Sequence, residues 1–477
     1  MKTARWWLLG AATIAVLTFA GLLRAGLMPL GVAGEWTWQR VPFAPRPLDV
    51  GLAALGVVAF ALFAAAGMHA LRGSVTRRRE AACVAALFLA SIAAQVVVQS
   101  GGPDGHGLSK WSTLAIPGSS GYFKVAKAEM ADPWEFWADY PRWIRGQDAL
   151  HVGTHPPGLF LISRGLLSLM ERSPSSASWV ASMTPATVEA SFAAILGPIP
   201  RPEKGAIVLM GALTLLVCSA TVIPIYLLAR ATLTPSLAFA AAALWPIAPS
   251  PILFQPTADT AFPALAAAAL ALAARGGVWR AALAGVVLAV GMQGTLAFLP
   301  VGLAVAILQL WQPDLSWRRR AVRVAATGAG FLGLTGLLWG ASGADPFAIW
   351  WVNQANHARF YRENPRSYLA WVIANPVELA IALGLPTAIA AIVAFVGRSA
   401  PRSAWAVVIV LGLLNLSGKN HSEVARLWLM FMPGLCVAAA GTLGRFRARP
   451  LDLAILVAVL GLQTLVLQST IQVVYPF

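Results

Sequence analysis

Residues 121–158 read GYFKVAKAEMADPWEFWADYPRWIRGQDALHVGTHPPG. Five carboxylates (Glu129, Asp132, Glu135, Asp139, Asp148), four cations (Lys124, Lys127, Arg142, Arg145), His151, His155 and a comb of aromatics share this one stretch. Almost everything on either side is apolar enough to sit in lipid. The 477 residues are 58% hydrophobic and only 11% charged, against about 25% charged in a soluble domain, which makes this a polytopic membrane chain. The quoted stretch is then a large extramembrane loop. A membrane protein that gathers its polar side chains in one loop does its chemistry at the membrane surface.

The net charge of +16 raises a nucleic-acid reading, which the placement of the cations excludes. Most of them sit in short loops between apolar runs, where they orient helices. Cys83, Cys218 and Cys436 are far apart inside apolar runs, so they form neither a disulfide framework nor a metal knuckle. Met1 to Leu30 resembles a signal peptide, but its long apolar run without a small-x-small site reads as an uncleaved span.

Working outward, hydropathy places spans at 6–28, 49–71, 80–99, 205–229, 234–252 and 260–274. Two short ones fall within 281–312, and further spans at 321–342, 369–396, 404–417, 427–443 and 451–473. That is an all-α transmembrane bundle of about thirteen spans. Residues 156–170, begun by paired prolines, read as an interfacial amphipathic helix, and 171–203 stay outside. The organisation is two leading spans (1–79), a core (80–443) with outer loops 100–203, 345–367 and 418–426, and a last span (444–477). Arginine clusters fix the inner side, where loops keep only Glu80, Asp314 and Asp452 among the acids. Nearly every other acid falls outside with all the histidines except His69, so the chemistry is expected there. The spans carry almost no ionisable residues, which argues against a transporter.

Several stretches, taken in order, resemble the GT-C superfamily of membrane glycosyltransferases, in the branch of lipid A aminoarabinose transferase and the protein O-mannosyltransferases. Tyr122 to Met130 is similar to the family's Tyr and "A-x-E-M" helix in the first outer loop, and His155-Pro156-Pro157-Gly158 to its "HPPL" helix start. Pro256-Thr257-Ala258-Asp259 resembles its Pro-rich turn, Trp350 through Phe360 its "W-x(n)-H-x-x-R-F" pattern, and Gly418-Lys419 its late "G-K". The resemblance covers roughly 80–443. One departure stands out: Ser119-Ser120 precede Tyr122 where the family carries an acidic residue.

The resemblance implies transfer of a sugar from a polyprenyl-phosphate-linked donor to an extracytoplasmic glycan, lipid or protein acceptor, by inverting displacement, in the bacterial inner membrane. Such a reaction needs a carboxylate base, cations for the departing phosphate and a lipid-open groove. Asp104 and Asp139 are the candidate bases, each with a plain alternative as a turn or helix-end carboxylate. Lys419, Arg426 and Arg359 are the candidate phosphate cations, with interfacial snorkelling as the alternative. Tyr122, Glu129, Tyr140, His155, Asp259, His357 and Glu423 complete the expected substrate-binding set. Asp259 reads equally as an N-cap, His155 as a helix-start residue, and Glu129 as part of a solvated face. The aromatics from Trp134 to Trp143 suit sugar stacking or interface anchoring. A divalent metal is compatible with this chemistry, but no ligand motif appears. A polytopic transporter or flippase for a lipid-linked glycan and an inactive GT-C-like scaffold are the rival readings.

Overall fold

The computed structural model describes residues 2–474 except 42, 43, 105 and 117. Helices account for nearly all of its regular structure. The strands described are two short antiparallel pairs, Gly31–Val32 with Trp36–Thr37 and Gln39–Arg40 with Ile471–Gln472. The second pair ties the loop after the first helix to the end of the last one.

Among the described residues, seven helices are long and apolar enough to cross a membrane: Ala4–Arg24, Pro47–Ala70, Arg77–Ser100, Arg201–Ala229, Ala258–Arg275, Trp317–Ser342 and Pro450–Thr470. The chain is therefore an integral membrane protein built from helices. An eighth span arises if Tyr368–Leu383 and Leu385–Val396 count as one, although they meet at 115°. The expectation of about thirteen is corrected on this point. The stretch 234–252 breaks into Pro235–Ala243 and Pro249–Leu253, and Val278–Met292, Phe298–Leu310 and Arg402–Leu416 have only 13 to 15 residues. At 1.5 Å per residue these reach about 20–23 Å, short of a roughly 30 Å hydrocarbon core. The expected span 427–443 becomes Leu429–Phe431 and Met432–Arg445, and Met432 to Leu443 are buried on every side by other helices. Hydropathy alone does not separate such a core helix from a lipid-facing one.

Local sequence sets the breaks. Asp345 caps Pro346–Glu363 by accepting from the amides of Phe347 and Ala348, with Pro346 at the first turn where no amide is needed. Thr76 caps Arg77–Ser100 through the Arg79 amide. The bend after Leu383 needs Gly384, whose φ of 94° suits glycine and whose missing side chain admits Leu460 from Pro450–Thr470. Trp317–Ser342 packs on Val278–Met292. At that crossing a side chain on Gly285 or Gly330 would run into the Thr327 or Ala282 backbone, the close approach that small residues allow.

The loops collect at two ends. Arg72 donates to the Ala448 carbonyl, and Glu80 meets Arg230 and the Tyr226 hydroxyl, at one end. The turns around 144–155, 257–260, 353–366 and 418–426 contact one another at the other.

Candidate functional site

The first loop is built to hold two histidines and a tyrosine. Gly121, at φ 75°, turns the chain into Tyr122–Ala128 and buries Tyr122. Asp132 accepts from the amides of Trp134 and Glu135 and starts Pro133–Trp143. The aromatics that helix carries fold inward: Phe136, Tyr140 and Trp143 lie with ring centroids 5.7–6.4 Å from Phe160. They form a small core, whereas Trp134 stays exposed. Tyr140 is fully buried and donates its hydroxyl to the His155 carbonyl at 2.6 Å, so it holds the loop and faces no open space.

The helix Pro346–Glu363 clasps the other side of that loop. Asn353 donates to the carbonyls of Gly153 and His155, Asn356 to those of Gly153 and Ile144, and Arg359 to that of Gln147 at 2.7 Å. These bonds account for the docking of the "HARF" segment. They also give Arg359 a structural task, alongside a looser approach of 3.8 Å to Glu363.

Against this loop stands a charged group from two other segments. Arg426 lies 2.6 Å from Glu423 and 3.8 Å from Asp259. Ser422 and Glu423 both have positive φ, 82° and 53°, an uncommon backbone for side-chain-bearing residues that costs of order 1–3 kcal/mol each and gathers at functional sites. The surroundings hold it in place: Ala425 N–H donates to Glu378, Ser250 donates to the Ala425 carbonyl, and Asn375 donates to the Asn420 carbonyl.

The charges interact across the segments. Burial pushes the Tyr122 phenol up, and the Asp259 charge pushes it further. Burial drives His151 down to about 4, helped by Arg426 and His155. His155 is likewise held below its ordinary value by burial, against the opposing pull of Asp259. Both rings are therefore neutral near pH 7. The Nδ1 of His155 lies 2.7 Å from the His151 carbonyl, which can only accept, so Nδ1 carries the proton and Nε2 is left as an acceptor. Burial alone would raise Glu423, but the Arg426 guanidinium holds it low. Arg426 would lose basicity on burial, and Glu423 and Asp259 more than restore it. His357 is lowered by burial and then by Lys419, whose exposed side chain makes no ion pair among the described residues.

Of the residues singled out from sequence, Tyr122, His155, Asp259, Glu423 and Arg426 come together, with His357 and Lys419 alongside. Five do not join them. Asp104 is exposed and paired at 3.0 Å with Arg46, Asp139 pairs with Arg142 on its own helix, Glu129 accepts from the Trp143 indole, Tyr140 is buried in the aromatic core, and Arg359 is taken up by the Gln147 carbonyl. Among the described residues no group of three or more His, Cys, Asp or Glu could hold a metal ion.

Sequence reading passed over four contributors. Asp148 and His151 sit in the quoted loop and act on this group. Lys110 is 1% exposed and donates to the Leu253 carbonyl at 2.8 Å, with burial pushing its amine down to about 7. That bond fixes the chain just before the turn that carries Asp259. Glu378 is a buried carboxylate in a largely apolar helix that also carries Asn375. Comparison with known proteins finds no matching family model and no matching curated protein.

Proposed function

We propose that the protein is an integral-membrane glycosyltransferase of the GT-C type. It would move a sugar from a polyprenyl-phosphate-linked donor to an acceptor on the extracytoplasmic side of the bacterial inner membrane. The observation that carries this reading is the meeting of Tyr122, His155, Asp259, Glu423 and Arg426, drawn from three loops distant in sequence, in one half-buried group. The same stretches carry the family resemblance.

In this reading the base moves to Asp259, because neither Asp104 nor Asp139 joins the group. The Asp259 carboxylate takes the proton from the acceptor hydroxyl or amine as that atom attacks the anomeric carbon. The bond from that carbon to the phosphate oxygen breaks on the opposite face, with inversion. Arg426, 3.8 Å away, orients Asp259. Lys419, a cation of the group with no carboxylate partner among the described residues, meets the charge developing on the departing phosphate. Tyr122, an un-ionised phenol, and the His155 Nε2 supply a donor and an acceptor for sugar hydroxyls.

The test is turnover of a polyprenyl-phosphate-linked sugar by full-length protein carrying Asp259→Asn, Asp104→Asn or Asp139→Asn. Loss of a general base costs roughly 10²–10⁴-fold, and only Asp259→Asn should show it with donor binding retained. Full turnover in Asp259→Asn removes it as the base. A wild-type protein that binds no such donor removes the enzyme reading.

A further inference from the structure

Away from that group, a cavity of about 320 Å³ lies between the hairpin after the first helix and Tyr368–Leu383. Met28, Leu30, Ala374, Val377 and Ile381 make its apolar walls, and Trp38 and Glu378 are its polar lining. Both polar residues are 5% exposed. Glu378 Oε1 accepts from the Ala425 amide, while its Oε2 makes no well-formed hydrogen bond. The Trp38 indole N–H approaches the carboxyl but also makes none. Two buried polar atoms without good partners, in one otherwise apolar cavity, are costly unless something meets them.

The mouth identifies the kind of occupant. Ile373 and Val377 line the cavity and are also exposed, and with Leu369 they form a stripe at four-residue spacing on the outside of Tyr368–Leu383. An exposed apolar stripe on a helix of a membrane protein faces hydrocarbon, so the cavity opens towards lipid. Its volume has room for roughly ten water-sized groups, a medium-length alkyl chain.

The polar pair then selects the head. A hydroxyl can accept from the Trp38 N–H and donate to Glu378 Oε2 at once. An ammonium would meet the indole donor as a second donor, a carboxylate would bring a full charge into an apolar cavity, and an alkane would leave both atoms unsatisfied. We infer that this cavity is a binding site for a single-chain neutral lipid alcohol, entering head first with its chain along the Leu369–Ile373–Val377 stripe. The cavity lies behind the proposed transfer group and shares Glu378 with its support, and half of its wall comes from the hairpin that precedes the core.

The probe is a dodecanol analogue carrying a diazirine and an alkyne, used on the full-length protein in nanodiscs beside matched dodecanoic acid and dodecane analogues. Saturable labelling by the alcohol on peptides containing Met28 or Ala374 is expected, competed by plain dodecanol and at least tenfold weaker for the other two probes. Ala374→Trp, which fills the cavity, should abolish it. Trp38→Phe should weaken it about fivefold while leaving the Glu378 bond to the Ala425 amide in place, a bond that replacing Glu378 itself would lose. Equal labelling by the acid or the alkane overturns the inference, as does labelling unchanged in both variants. Labelling that maps elsewhere, with water alone bridging Trp38 and Glu378, overturns it too.

Discussion

Arg426→Gln is the perturbation that bears most directly on how the charged group is held. The guanidinium makes a charge-assisted bond of 2.6 Å to Glu423, worth about 1.5–3 kcal/mol. Its attraction to Asp259 at 3.8 Å is about 4 kcal/mol at an effective dielectric near 20, before desolvation is subtracted. The side chains are 21–29% exposed, so screening and desolvation leave about 1 kcal/mol of that. The single variant should lose about 3 kcal/mol. Part of the loss is the cost of leaving Glu423 charged, buried and alone. Adding Glu423→Gln should therefore return about 1–2 kcal/mol, an interaction a double-mutant cycle resolves. Chemical unfolding of the purified protein in detergent is the assay. The pH dependence gives a second check. Glu423 is depressed in the fold, so its stabilisation is present above the unfolded carboxylate value and lost as pH falls through the folded one. The deficit of Arg426→Gln should shrink accordingly below about pH 4.5. Effects of the two substitutions that add to within 0.5 kcal/mol, or a deficit unchanged by acid, would refute the arrangement.

Three further outcomes follow from named contacts. His151 has a folded value of about 4 against an ordinary 6.5, so the unfolded chain takes up the proton first. Stability should fall between those values as pH drops, by up to roughly 3 kcal/mol, and His151→Gln should flatten that limb in unfolding measured from pH 7 to 4. Gly384→Ala meets a positive φ and the Leu460 side chain together and should cost about 2–4 kcal/mol, read from the same unfolding assay; a neutral effect would deny the bend. Lys419→Ala should weaken binding of a polyprenyl-phosphate donor about tenfold at unchanged stability. Arg359→Ala should instead speed hydrogen exchange around Gln147, and the reverse pattern would exchange the two roles.

Helix positions were legible because hydropathy is a local property, and the ends of Arg77–Ser100, Trp317–Ser342 and Pro450–Thr470 lie within a few residues of the expected spans. The number of spans was not legible. Met432–Arg445 and Arg402–Leu416 are as apolar as lipid-facing helices, yet the first is sheathed by protein and the second is too short to cross. Nothing in a one-dimensional profile says what lies beside a helix.

The same limit acted on the charged group. Tyr122, His155, Asp259, Glu423 and Arg426 could be singled out because polar side chains at the breaks of an apolar chain have few reasons to be there. Their grouping depends on which breaks meet, and that is set by packing. Asp104 stands out in the sequence by lying in a glycine-rich turn just past the span that leads into the loop, whereas the carboxylate acting most strongly on Tyr122 is Asp259, on a turn more than a hundred residues away. Lys110 and Glu378 were hidden for opposite reasons. One looks like a solvated lysine in a polar loop, and the other like a stray acid in a span. Only burial reveals that the Lys110 amino group fixes the Leu253 carbonyl ahead of the Asp259 turn, and that Glu378 fixes the Ala425 amide beside Arg426. Both residues thus hold, from behind, the two backbone segments whose side chains form the Asp259–Arg426 pair, and the geometry of that pair depends on side chains that never touch it.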